Sequence, residues 1–333
     1  MPLVSFAPPS LCLTFLPRLF RLLPSLPPPV RDLEVPPVFR RPFIPSGYRP
    51  PGLPLRCYVL SLFQIHNETL NVWSHLLAAV CVALRLGPEG QGFSVDAASL
   101  PLVLYSFSAV AYLSFSAAAH LLHSRSEQLH HSLFFLDYVG VAVHQYGCSL
   151  ALSLYSADVF LPGSALLSWS SCAACCYAKL RSHRLTPLNR KFFLVPTGAA
   201  SLLNIGLVVR RLEAQRWSSS PAPLLHLLQV ALFLPSSFFF CCPVPERFAP
   251  GRFDIIGHAH QLLHLLSALR TLLQQEALFH DFLWRRPALL RQFGEERLLL
   301  ACSSFCCLTL CCAATAASVQ RRAQLRREIK NHR

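Results

Sequence analysis

Charge is what this sequence is short of. Only 14% of its 333 residues are charged, and Asp plus Glu number 16, against roughly a quarter charged in an average soluble domain. A soluble chain of this length would bury a large core and still need a charged coat, which so few charges cannot make. Glycine is scarce as well, at 13 residues, and no Gly-rich phosphate-cradling loop occurs. Sustained polar–apolar alternation is missing, which excludes a transmembrane β-barrel. No internal repeat is present. The net charge is +14, yet the basic residues form no patch interleaved with aromatics, so nucleic acid is not an expected partner.

What the chain has in quantity is long apolar runs, 53% of its residues being apolar. A run of about 20 is what a spanning helix needs. Eight runs qualify: 66–86, 98–122, 132–153, 159–178, 191–209, 222–242, 257–280 and 297–319. The Ser- and Cys-rich run 159–178 carries the weakest signal. Pro196 and Pro235 fall inside runs, which a bundle tolerates when neighbours satisfy the freed backbone groups. The expectation is an all-α polytopic transmembrane bundle, with residues 1–56 as a cytoplasmic N-terminal segment, 57–320 as the membrane domain and 321–333 as a basic tail.

Lys and Arg placement sets the expected orientation. If the N-terminus is cytoplasmic, inner segments from Arg40 onward hold 18 basic residues and outer ones 8, so both termini are expected inside. The loop 210–221 runs against this locally. The basic tail also suits anionic inner-leaflet lipid. The first 38 residues are apolar but broken by Pro24, Pro27, Pro28 and Pro29. They read either as a short surface-lying helix or as a disordered tail. A cleaved signal peptide is not expected, because Arg18 and Arg21 follow the apolar stretch and no charged region precedes it.

The 14 Cys fall largely inside the runs, where thiols act as small hydrophobes. Cys175, Cys176, Cys241 and Cys242 lie near the inner face and are weak candidates for palmitoylation. Asn67-Glu68-Thr69 matches a glycosylation acceptor, but at the inner face it reads as structural.

Ionisable groups inside spans are costly and are functional candidates by default. SFSAAAHLLH ends the second run and puts Ser116 and His120 four residues apart on one helix face. SLFFLDYVG opens the third, with Asp137 inside it. GHAHQLLHLL opens the seventh, with His260 and His264 again four apart. The second helix runs toward the N-terminal side and the third and seventh run away from it. His120, Asp137, His260 and His264 are therefore expected at one depth, leaving the outer half of the bundle mostly apolar. Three imidazoles and a water suit zinc, with Asp137 as a hydrogen-bonding partner behind them; the alternative is hydrogen bonding between helices. Other polar residues read blandly: Trp73 and His75 near an interface, Asn204 and Gln229 in interhelical hydrogen bonds, His144 and Gln145 at a cavity, His130 and His131 in a loop.

The motifs together resemble the progestin and adipoQ receptor family, in its branch of alpha- and beta-type membrane progestin receptors. The residues carrying the resemblance are EVPPVFRRPFIPSGYRP (34–50), LFQIHNETLNVWSHLLAA (62–79), YLSFSAAAHLLHSRSE (112–127), FFLDYVGVAVHQYG (134–147), CPVPERFAPGRFDIIGHAHQLLH (242–264) and the last span. That family's S-x-x-x-H and H-x-x-x-H motifs fall on Ser116 and His120 and on His260 and His264, and the Asp of its L-D-Y stretch on Asp137. The resemblance implies a zinc site on the three His, a seven-helix core and an eighth C-terminal span. It also implies a plasma-membrane progestin receptor that signals through inhibitory G proteins and lowers cyclic AMP. The D-R-Y and N-P-x-x-Y patterns of rhodopsin-like receptors are lacking, so such coupling would use another surface, with loop 179–191 the candidate. The same family implies an alternative, a zinc-dependent ceramidase-like amidase in which Asp137 and Ser116 would serve catalysis. A third reading is a scaffold whose zinc only ties helices together.

Overall fold

A computed structural model describes residues 26–85, 96–156, 161–181, 192–214 and 220–331. Residues 1–25, most of loop 179–191 and part of the basic loop 210–221 lie outside these, and with them the choice between surface helix and disorder. Among the described residues the fold is all-α, with a single isolated bridge, Val30 to Tyr48, in place of any sheet.

Each apolar run forms a helix. They are α1 (Thr69–Arg85), α2 (Leu100–Leu122), α3 (Glu127–Ser156), α4 (Leu161–Leu180), α5 (Val195–Ala214), α6 (Ala222–Cys241), α7 (Ala259–Phe293) and α8 (Glu295–Asn331). A short helix, Leu55–Leu60, precedes them. Helices α1 to α7 pack in sequence and close on themselves where α7 meets α1, and α8 leans on α3 and α4 from outside. Helix α3 is the hub, touching α2, α4, α5, α7 and α8.

Small residues let α2 and α3 approach closely, as membrane helices do without a hydrophobic drive between them. A Cβ at Gly140 would stand 3.0 Å from the Tyr112 Cα, and one at Gly147 would stand 3.1 Å from the Ser108 Cβ. The buried tyrosines end on hydrogen bonds, Tyr105 donating to the Thr271 carbonyl at 2.8 Å and Tyr155 to that of Ala98 at 3.2 Å.

By length and composition alone, Leu100–Arg125, Ala222–Cys241 and Glu295–Leu325 are apolar enough to cross a membrane, and α1 is apolar but shorter. Helices α3 and α7 carry buried polar groups turned toward the bundle, Asp137, His144 and Gln145 on one and Gln274, Gln275 and Asp281 on the other. Those groups dilute the mean hydropathy without facing lipid. Helix α3 begins at Glu127, earlier than the apolar run suggests, so His130 and His131 are helical rather than in a loop.

Residues 26–54 form a strap across the helix ends on the N-terminal side. Val35, Phe39, Ile44 and Tyr48 make its own small core. Gly47, at φ +85°, lets the strap pass where a side chain would strike Ile255 and Asn67, and its carbonyl accepts the Asn67 N–H at 2.9 Å. Across the strap, Ser46 donates to Asp254 at 2.6 Å.

Candidate metal centre

His120 ends α2 and is 1% exposed. His260 and His264 rise from the first two turns of α7, one above the other because residues four apart share a helix face. The His260 Nε2 lies 3.3 Å from the His120 Nε2 and 3.1 Å from the His264 Nε2. Ligand atoms of the three all fall within 4.8 Å of one another. Nitrogens on a tetrahedral zinc with bonds of about 2.0–2.1 Å would sit roughly 3.3 Å apart.

Glu68, at the mouth of α1, fixes the tautomer. Its Oε2 is 2.8 Å from the His120 Nδ1. A carboxylate accepts only, so Nδ1 carries the proton and Nε2 turns a bare lone pair toward the other two rings. That carboxylate–histidine pairing is what stands behind most metal-binding imidazoles. Arg41 of the strap donates to the Glu68 Oε1 at 2.8 Å, and the Asn71 amide donates to Oε2. His75 stacks its ring on His264, centroids 4.0 Å apart and planes 22° apart, which holds that imidazole in plane.

Arg49 closes the end of α2. Its Nη1 donates to the Ser61 hydroxyl at 2.9 Å and to the Leu121 carbonyl, and its Nη2 donates to the His120 carbonyl at 2.6 Å. Burial pulls the guanidinium down to about 10, against the opposing pull of Glu68. It stays charged at neutral pH and satisfies carbonyls that the helix end leaves open.

Of the five residues singled out in the sequence, the structure brings His120, His260 and His264 together. Ser116, one turn before His120, is buried but stands outside that group. Asp137 is buried on α3, outside the ligand group, with an Oδ1 that has no protein partner. Sequence reasoning missed Glu68 because its triplet reads as a glycosylation acceptor. The available signal was a carboxylate one residue before an apolar helix, where a purely structural side chain is costly to bury. It also missed His75, which gives no spacing pattern with the other three.

The Haemolysin-III related family model matches residues 63–275. That covers most of the chain and all three histidines. This chain belongs to the Haemolysin-III related family. It is 43% identical over 319 residues to membrane progestin receptor beta of Homo sapiens, covering 91% of this chain and 90% of that protein. To membrane progestin receptor alpha of Cynoscion nebulosus it is 42% identical over 286 residues, covering 82% and 81%. Against the Homo sapiens alpha protein the figures are 42% over 267 residues, with 76% and 77% covered. The motif resemblance to the progestin and adipoQ receptor family is thereby established across most of the chain. With its apolar helices, the chain is a multi-pass membrane protein.

Proposed function

We propose that this protein is a plasma-membrane receptor for a progestin-type steroid, with one zinc ion held by His120, His260 and His264. The observation that carries the receptor reading is 43% identity over 91% of the chain to a protein named membrane progestin receptor beta. The zinc reading is supported by three Nε2 atoms at 3.1 and 3.3 Å with the His120 lone pair set by Glu68. Zinc bound there would polarise a water at its open fourth position. Glu68 orients His120 and His75 holds the His264 ring, while Asp137 and Ser116 stand outside the three-His group.

An uncharged steroid partitions into lipid and reaches the helices sideways from the bilayer. It needs a largely apolar cavity of roughly 300 Å3 or more and one or two polar anchors. The 18-to-8 basic bias puts both termini, the strap and the histidines on the cytoplasmic side. Inhibitory G protein coupling and lowered cyclic AMP then follow from contacts on that face. A C-terminal tag stained on intact, unpermeabilised cells would reverse the orientation.

The test is a paired assay on purified protein, saturable progesterone binding and ceramide turnover, each with and without a zinc chelator. Receptor function gives saturable binding that survives a folded His120→Ala variant. Absence of binding, together with zinc-dependent ceramide turnover that His120→Ala abolishes, would replace the receptor with a ceramidase-like amidase.

A further inference from the structure

Arg270 sits on α7 six residues past His264, about 9 Å deeper into the bundle. It lines a cavity with His144 and Cys148 of α3, Asn204 of α5, Gln229 of α6 and Gln274 of α7. The cavity leaves about 20 Å3 for the centre of a water-sized occupant. That exceeds the roughly 10–15 Å3 one buried water needs and is far too small for a steroid nucleus.

Arg270 is half-buried. Of the other buried or half-buried arginines of the helices, Arg285 donates to the Tyr155 carbonyl at 2.8 Å, and three meet acids: Arg211 with Asp281, Arg85 with Glu276, and Arg286 with Asp96. Arg270 does not. Its Nε is buried without a hydrogen-bond partner, and no carboxylate among the described residues lies within salt-bridge range of it. The Phe233 ring, 5.9 Å from the guanidinium carbon, is at the outer limit of a cation–π contact and supplies no countercharge. A charge at this depth is costly unless it is paired.

The neighbouring amides add donors rather than acids. Gln274 accepts from the Cys148 thiol through Oε1 at 3.5 Å, which leaves its Nε2 hydrogens without an acceptor among the described residues. Gln145 turns its own Nε2 away, to the Thr197 carbonyl at 3.1 Å. Its Oε1 is unpartnered, which leaves a place for one bridging water at the cavity edge.

We propose that this cavity binds a small monovalent anion of chloride size, held by the Arg270 guanidinium and the Gln274 amide. A water alone satisfies the hydrogen bonds but leaves the charge unmatched, whereas a monatomic anion does both and fits the room. Charge-assisted bonds to such an anion are about twice as strong as neutral ones. The site joins α3, α5, α6 and α7, and it stands apart from the three histidines and from the receptor reading.

The test is thermal unfolding of the purified full-length protein at constant ionic strength, with sodium chloride progressively replaced by sodium gluconate. The expected result is a saturable rise in Tm of about 2–4 °C with chloride, reproduced by bromide and absent in Arg270→Gln. Equal Tm in both salts would overturn the proposal, as would an undiminished chloride response in Arg270→Gln. So would stabilisation by micromolar decanoate with none by chloride, which would assign the guanidinium to a lipid carboxylate. Should Arg270→Gln not fold, wild-type crystals soaked in bromide decide. An anomalous peak within hydrogen-bonding reach of Arg270 supports the site, and featureless density there removes it.

Discussion

The two ends of the bundle bury polar groups by opposite means. At the strap end, three histidines face one another with a single carboxylate behind them, and nothing in the cluster neutralises a metal's charge beyond Glu68. At the far end, about 25 Å along α7, Asp281 is clamped between the Arg211 Nη2 at 2.6 Å and the His226 Nε2 at 2.9 Å. Arg85–Glu276 and Arg286–Asp96 tie other helices nearby. The far end is closed, its buried carboxylate Asp281 already paired within the protein. The strap end is open, its three imidazoles converging in an arrangement compatible with a metal ion. The outer half is therefore not mostly apolar, as the run-by-run reading expects, but its buried carboxylate Asp281 is matched by Arg211 and His226. The difference separates a cluster compatible with a metal ion from one that holds helices together.

That contrast can be broken in order of effect. His260→Ala should cut zinc from close to one per chain to background in elemental analysis of purified protein. It should also lower thermal stability, since two buried imidazoles and an under-coordinated ion remain. Asp281→Asn should leave zinc content unchanged and yet destabilise by about 3–5 kcal/mol, because Arg211 is left buried and unpaired. Thermal unfolding with parallel metal analysis checks both, and zinc loss in Asp281→Asn would mean that the ends are not independent. Glu68→Gln should weaken zinc by roughly 10–100-fold in chelator competition without abolishing it, as expected when a partner behind a ligand is altered. Asp137→Ala should weaken it less than Glu68→Gln, since no ligating histidine is hydrogen-bonded to Asp137 in this structure. An effect of Asp137→Ala as large as that of Glu68→Gln would place its carboxylate at the metal's water. Glu276→Ala, breaking a pair that is about one-third exposed on both sides, should cost no more than about 1 kcal/mol.

The spans were legible because an apolar run of the right length has few ways to fold in lipid. The histidine triad was legible because i, i+4 spacing and chain direction together fix face and depth, as for Ser116 and His120 or His260 and His264. What escaped was polar pairing between distant segments. Nothing near Arg211 in the chain points to Asp281, since the pair is made only when α5 and α7 lie side by side. Glu68 escaped for the related reason that its partners, Arg41 and His120, come from the strap and from α2. Arg270 was passed over because a lone arginine in a run reads as an interruption of it, and only the packed bundle shows that no acid waits for it.

The distance in sequence between the histidines also sets a timetable. His120 precedes His260 by 140 residues, and synthesis proceeds at about 5–20 residues per second. For roughly 7–28 s of each chain's manufacture, His120 and Glu68 are already in the insertion machinery while the other two imidazoles have yet to be made. During that interval His120 has Glu68 behind it but no second imidazole of its own chain to face. The imidazole cluster is therefore completed only once α7 has been made.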